Sequence, residues 1–269
     1  MLKVQIVLFD GFDLLDAIAP YEVFHAAATH TDNALSVEFV TAEGPRLVPS
    51  GIDGLKIEAR GRLNPAHAGI ILVPGAAGAV EGDGPDSIPT ILGRAMNTEL
   101  TVMMKQALGQ KDIVVATVCG GSLLLAMGGL LEGRSAVTHH MGMDVFGATG
   151  AIPVSARVVD DGNLVSGGGV TSGLDVALYL VERELGPRIA HAVEQLFEFE
   201  RRGTATQGDE TVALINPVLQ DNMLSWSLRI TKPMRLNLKF EVAANSDDMT
   251  GIAKAGILPA SKLTGKRVS

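Results

Sequence analysis

DIVVATVCGGSLLLAMGGLL, residues 112–131, joins two opposed local preferences at the chain's one cysteine. Ile113, Val114 and Val115 are β-branched and uncharged, which suits a strand buried on both faces of a parallel sheet. Leu123, Leu124, Leu125, Ala126 and Met127 favour helix, and Gly120 and Gly121 permit a sharp connection between the two. The chain is therefore expected to turn from strand into helix at Cys119. A side chain at such a corner stands at the carboxyl edge of the sheet and the amino end of a helix. The unpaired N–H groups there are expected to lower a thiol pKa. A lone cysteine in an apolar run also reads as a passive core residue, but its place between strand and Gly-Gly favours a nucleophile elbow. Residues 113–131 carry no charge, yet Thr117, Ser122 and four glycines argue against a membrane span.

Outward from the elbow, residues 4–9 read as a first buried strand, followed by Asp10-Gly11-Phe12-Asp13 as loop and helix cap. Pro20 interrupts the next helical pattern, so the main helix is expected after it, with Asp16 in the loop or a short first turn. Residues 36–41 and 69–73 read as strands. Pro74-Gly75-Ala76-Ala77-Gly78 then forms a small-residue loop whose N–H groups can face a ligand. An acidic stretch, residues 81–86, and residues 88–96 read as a long connection, either a lid over the cysteine or a solvated surface loop, before a helix over 98–108. A hairpin is expected about Asp161-Gly162, then a helix capped by Thr171 and a last helix over 188–201. Strands alternating with helices imply an α/β sandwich with a mainly parallel sheet.

The 269 residues leave room for one large domain with an appendage, and 46% hydrophobic content is ample for a core. A net charge of −8 speaks against general affinity for nucleic acid or an anionic membrane surface. A single cysteine excludes an intrachain disulfide, and the amino terminus lacks a signal-peptide pattern, so the cytoplasm is the expected compartment. No His, Cys or carboxylate set has metal-site spacing. Gly167-Gly168-Gly169 lacks the nucleotide fingerprint, so no metal or cofactor is expected. Beyond Gly203, Leu224, Trp226, Leu228 and Ile230 alternate with polar residues. After Thr231-Lys232-Pro233, Met234, Leu236, Leu238, Phe240 and Val242 do the same. Period two signals a β-hairpin with one oily face, and weaker strands are expected over 249–255 and 262–268. The reading is an α/β domain over 1–203 and an antiparallel β-rich appendage over 204–269 that takes part in a homodimer.

Val118-Cys119-Gly120-Gly121-Ser122, Gly129-Leu130-Leu131-Glu132-Gly133-Arg134, Thr138-His139 and the run from Gly167 to Asp175 together resemble the ThiJ/PfpI superfamily over about residues 3–202. The likeness is to the branch of isocyanide hydratases and of amidase-like domains of some transcription regulators. It implies a flavodoxin-like three-layer sandwich related to class I glutamine amidotransferases, acting on a small molecule without a cofactor. It further implies Cys119 as nucleophile and, from Leu15-Asp16-Ala17-Ile18-Ala19-Pro20, Asp16 as its acidic partner. Backbone N–H groups of Gly120 and of Gly75 or Ala76 would hold developing negative charge, and His139 would line the site. Gly120 stands where that branch often has threonine. The peptidase-like branch has histidine there, so proteolysis is disfavoured. The implied activity is hydration of an isocyanide to an N-substituted formamide. The alternatives are a sensing domain and glyoxalase- or deglycase-type chemistry.

Overall fold

The computed structural model describes residues 1–32, 34–201, 204–206, 215–220, 222–230, 236–245, 248–255 and 261–266. They fall into two compact units, Met1–Gln207 and Gly208–Ser269. The first unit is built on an eight-stranded sheet in the order Thr204–Thr206, Val158–Asp160, Leu164–Gly167, Ile113–Val118, Gly69–Val73, Leu2–Val7, Leu35–Thr41, Gly61–Arg62. Every neighbouring pair is parallel except the hairpin formed by Val158–Asp160 and Leu164–Gly167. Parallel strands covered on both faces need continuous apolar runs. Gly69–Val73 is accordingly buried at all five positions. Ile113–Val118 lies between it and Leu164–Gly167, so the corner that follows is central to the sheet edge. Helices Leu14–Thr29, Ser172–Leu185 and Pro187–Phe197 pack on one another, as do Ile88–Met96, Glu99–Leu108 and Gly121–Met127. The result is the flavodoxin-like α/β sandwich.

Five local readings change. Helix Leu14–Thr29 runs through Pro20 instead of starting after it, and Asp16 takes the second of its two expected places, a first helical turn. Proline there removes the N–H that would meet the Asp16 carbonyl. The ring instead packs on Gly173, where a Cβ would lie 3.1 Å from Pro20 Cγ and Cδ, so a tertiary contact sustains the helix past its local breaker. Residues 88–96 form a helix with Pro89 in the first turn, where its missing N–H is no loss. The last helix ends at Phe197, followed by Glu198 in a left-handed conformation at φ 48°. Thr171 stands at the start of Ser172–Leu185 without capping it; its Oγ1 accepts from Arg157 Nη2 at 2.7 Å. The sheet also extends beyond residue 203, because Thr204–Thr206 adds in parallel to Val158–Asp160.

The second unit is a five-stranded antiparallel sheet, Ile215–Gln220, Met223–Ile230, Leu236–Asn245, Asp248–Ala255 and Ser261–Lys266, each paired with the next. Register sets Leu224 opposite Val242, Trp226 opposite Phe240 and Leu228 opposite Leu238. Directly opposed residues share a face. The alternation in the two strands therefore builds a single apolar surface, on which the Trp226 and Phe240 rings stack at 4.9 Å. Ile215–Gln220 has no clear period-two signal, and its pairing carries an irregularity between Ile215 and Val218. The expected turn at Thr231-Lys232-Pro233, with Met234 and Val268, lies outside the described residues. Among the described residues no helix is long and apolar enough to cross a membrane.

Candidate functional site

The elbow forms as expected, but the strain falls on a different residue. Gly120 has ordinary helical angles, φ −71° and ψ −4°. Cys119 is the residue at positive φ, 54°. A non-glycine residue there costs on the order of 1–3 kcal/mol and persists only where its surroundings over-determine it. They do so here. The Cys119 N–H donates to the Gly167 carbonyl at 3.0 Å, and the Cys119 carbonyl accepts from Thr138 Oγ1 at 2.9 Å and Ser122 Oγ at 3.4 Å. Gly121 serves close approach: a Cβ there would lie 2.2 Å from the Val73 carbonyl oxygen.

Asp16 is fully buried, and its Oδ2 accepts from the Gly75 N–H at 2.8 Å. The Asp16 and Cys119 side chains interact directly. Asp16 Oδ1 has no hydrogen-bond partner among the described residues. Burial holds the Asp16 carboxyl well above the ordinary carboxylate range, and the charge of Asp13 adds to this; hydrogen bonds from Gly75 and Cys119 oppose it. Burial also pushes the Cys119 thiol up, followed by the charge of Asp16, against a smaller opposing contribution from the Gly120 N–H. The expected lowering of the thiol pKa is thus reversed. The elbow helix Gly121–Met127 is only seven residues long, and the desolvation of a thiol 7% exposed outweighs what its amino end supplies. Both shifts favour the protonated forms, a thiol beside a carboxylic acid.

The Gly75 N–H, expected to face a ligand, is spent on Asp16. Ala76 remains: among the described residues its N–H has no acceptor, and it lines the same cavity as Cys119 and Gly120. That cavity has a volume of about 510 Å³. Ile52, Val80, Ile88, Leu123, Met127 and Val145 give it apolar walls, and Asp13, Thr138 and His139 are its polar ones; Asp16 lies behind the wall. His139 Nδ1 accepts from the Met141 N–H at 3.4 Å, leaving the proton on Nε2. Burial, and then His140 with its ring 4.4 Å away, lower the His139 pKa, so the ring is a neutral donor. Residues 81–86 are exposed, and the loop closes at its base through Ala79 N–H to the Asp86 carbonyl at 3.1 Å. A larger cavity of about 720 Å³ shares Ala77 and Gly78 and is lined by Asp10, Arg46 and Arg94, but neither Cys119 nor Asp16 reaches it. Among the described residues no group of three or more His, Cys, Asp or Glu could hold a metal ion. The apolar walls escaped the sequence reading because they come from five separate segments. Asp13 was legible only as a cap.

The DJ-1/PfpI family matches residues 2–183. The chain belongs to the DJ-1/PfpI family. It is 34% identical over 200 residues to an isonitrile hydratase of Pseudomonas putida, covering 74% of this chain and 78% of that one. It is 24% identical over 197 residues to an HTH-type transcriptional regulator of Pseudomonas aeruginosa, covering 72% of this chain and 54% of the regulator. A ThiJ/PfpI family protein from Pseudomonas syringae superposes with TM-score 0.61 at 26% identity over 75% of this chain and 76% of its own.

In this DJ-1/PfpI protein the glycine after the cysteine is not required by space. A Cβ at Gly120 would meet Leu92 Cδ1 at 3.5 Å and Gly75 Cα at 3.6 Å, which is ordinary contact. Gly120→Thr is therefore expected to fold with stability within about 0.5 kcal/mol of the parent. Thermal melts check it, and a loss several times larger would show that the backbone here cannot carry a side chain.

Proposed function

We propose that this protein is a cysteine-dependent isocyanide hydratase, converting R–N≡C and water to R–NH–CHO, with Cys119 as nucleophile and Asp16 as proton carrier. One observation carries the reading: a buried acid whose surroundings favour its neutral form touches a thiol that alone of the two opens on an apolar cavity. The identity to an isonitrile hydratase supports it. An isocyanide is uncharged, its terminal carbon accepts both a nucleophile and a proton, and the walls suit a hydrocarbon substituent. The Cys119 sulfur bonds to that carbon while Asp16 passes the thiol proton to it, giving the thioimidate Cys119–S–CH=N–R. Transfer through the neighbouring acid avoids a free buried thiolate, whose pKa burial opposes. Ala76 N–H, Gly120 N–H and His139 Nε2–H are the donors placed to hold the substrate nitrogen or a developing oxyanion. Water then adds to the carbon, nitrogen takes a proton, and the C–S bond breaks to return the thiol.

A sensing role is the second reading, favoured by the likeness to a transcriptional regulator and by a thiol whose resting state is uncharged. Incubation of the full chain with an aryl isocyanide and, separately, with methylglyoxal separates these readings. Catalytic release of the N-aryl formamide is expected. Stoichiometric capture without release would favour sensing, and consumption of methylglyoxal alone would replace the proposed chemistry. The apolar face of the second unit, with Trp226 and Phe240 only half-buried, supports assembly as a homodimer through that sheet. The mass in solution of a chain ending after Gln207 tests it.

A further inference from the structure

We propose that Asp13 is the general base of the second half-reaction, accepting the proton of the water that releases the product from Cys119. This rests on the hydratase reading above. A thioimidate on Cys119 requires a water molecule to reach its carbon from the cavity, and that water must lose a proton as its oxygen bonds. Asp16 is poorly placed for this: it is fully buried, it is absent from the cavity wall, and Oδ2 is tied to Gly75. His139 offers only its Nε2–H, because Nδ1 already accepts from Met141. Asp13 is half-buried, stands on the cavity wall with Cys119 and is the one carboxylate of the amino-terminal helix turn that does so. It is also held rigidly. Its N–H donates to the Gly75 carbonyl at 2.9 Å, and Oδ1 accepts from the Leu15 N–H at 2.9 Å and the Asp16 N–H at 3.3 Å. No hydrogen bond engages Oδ2 among the described residues, which leaves this wall residue one acceptor oxygen.

The two carboxyl groups thus divide the work by their surroundings. The sealed one passes the thiol proton to carbon, and the open one takes the water proton as the C–O bond forms. The proton taken by Asp13 passes to the former imine nitrogen, and when the tetrahedral intermediate collapses, the C–S electron pair returns to sulfur and the hydroxyl proton restores the thiol. Net consumption is one isocyanide and one water for one formamide.

Asp13→Asn separates this role from capping, since asparagine caps a helix as well as aspartate. With the full-length chain and an aryl isocyanide, the variant is expected to lose about 10²-fold or more in turnover. It should also accumulate the Cys119 adduct, seen by intact-protein mass spectrometry after rapid quenching. Hydroxylamine, which needs no base to attack, should discharge that adduct as the N-aryl formamidoxime. Wild-type turnover in the variant, or a loss of turnover without adduct, would overturn the assignment to Asp13 while leaving the hydratase reading standing. A wild-type protein that forms neither adduct nor formamide would overturn both.

Discussion

Asp16→Asn is expected to lower turnover by about 10²–10⁴-fold while lowering the Cys119 thiol pKa and raising the melting temperature. The three effects share one cause. Asp16 sits in a fully buried position where its ionised form is disfavoured, and its charge is the second-largest reason that the thiol is pushed up. Asparagine removes that charge, so the thiol titrates lower, but it also removes the acid in contact with the sulfur. A simpler view, in which Asp16 activates a thiolate, requires the opposite change in thiol pKa. The pH dependence of stability follows from the raised carboxyl pKa. The stability linked to a neutral Asp16 is fully present below the unfolded value, near 3.8, and is lost as pH rises through the folded value. Asparagine stays neutral throughout, so its advantage grows with pH. Near neutral pH a gain of about 1 kcal/mol, roughly 2–4 °C, is of the size usual when a functional strain is removed. Ultraviolet titration of the thiolate, with melts at acid and alkaline pH, measures both. A variant with full turnover, or a thiol that titrates higher, would end the proton-carrier role.

Gly75→Ala should be nearly as damaging without replacing a titratable group. A Cβ at this position would lie 2.6 Å from the Gly120 nitrogen and 2.8 Å from Asp16 Oδ2. The first is backbone at the elbow, and the second is buried and bonded to Gly75 itself. Neither can swing aside, so the loop after Gly69–Val73 must retreat from the helix carrying Asp16. Overpacking of this kind costs about 1–3 kcal/mol. A displacement of the acid from the sulfur by about 1 Å is expected to cost on the order of 10²-fold in turnover. Gly120→Thr, one contact away and sterically open, is the control. If the two variants lose turnover and stability equally, the damage is general crowding at the elbow rather than the wedge between acid and thiol.

The amino-acid sequence by itself determined the elbow, the buried strands of a mainly parallel sheet, the hairpin at Asp161-Gly162 and the alternating strands of the second unit. These are local matters: β-branched runs, a Gly-Gly break and period-two patterning declare themselves within a few residues. Resemblance added the pairing of Asp16 with Cys119, which lie 103 positions apart in the chain. What only the tertiary structure decided depends on distant atoms. Pro20 lies within a helix because Gly173 makes room for its ring. The left-handed angle falls to Cys119 because Thr138, Ser122 and Gly167 hold its peptide groups. The thiol pKa rises where helix logic said it should fall, because desolvation is a property of the packed surroundings and no short segment encodes it. Gly75 turns from ligand donor to clamp for the same reason: its N–H meets the Asp16 carboxyl group, delivered by helix Leu14–Thr29.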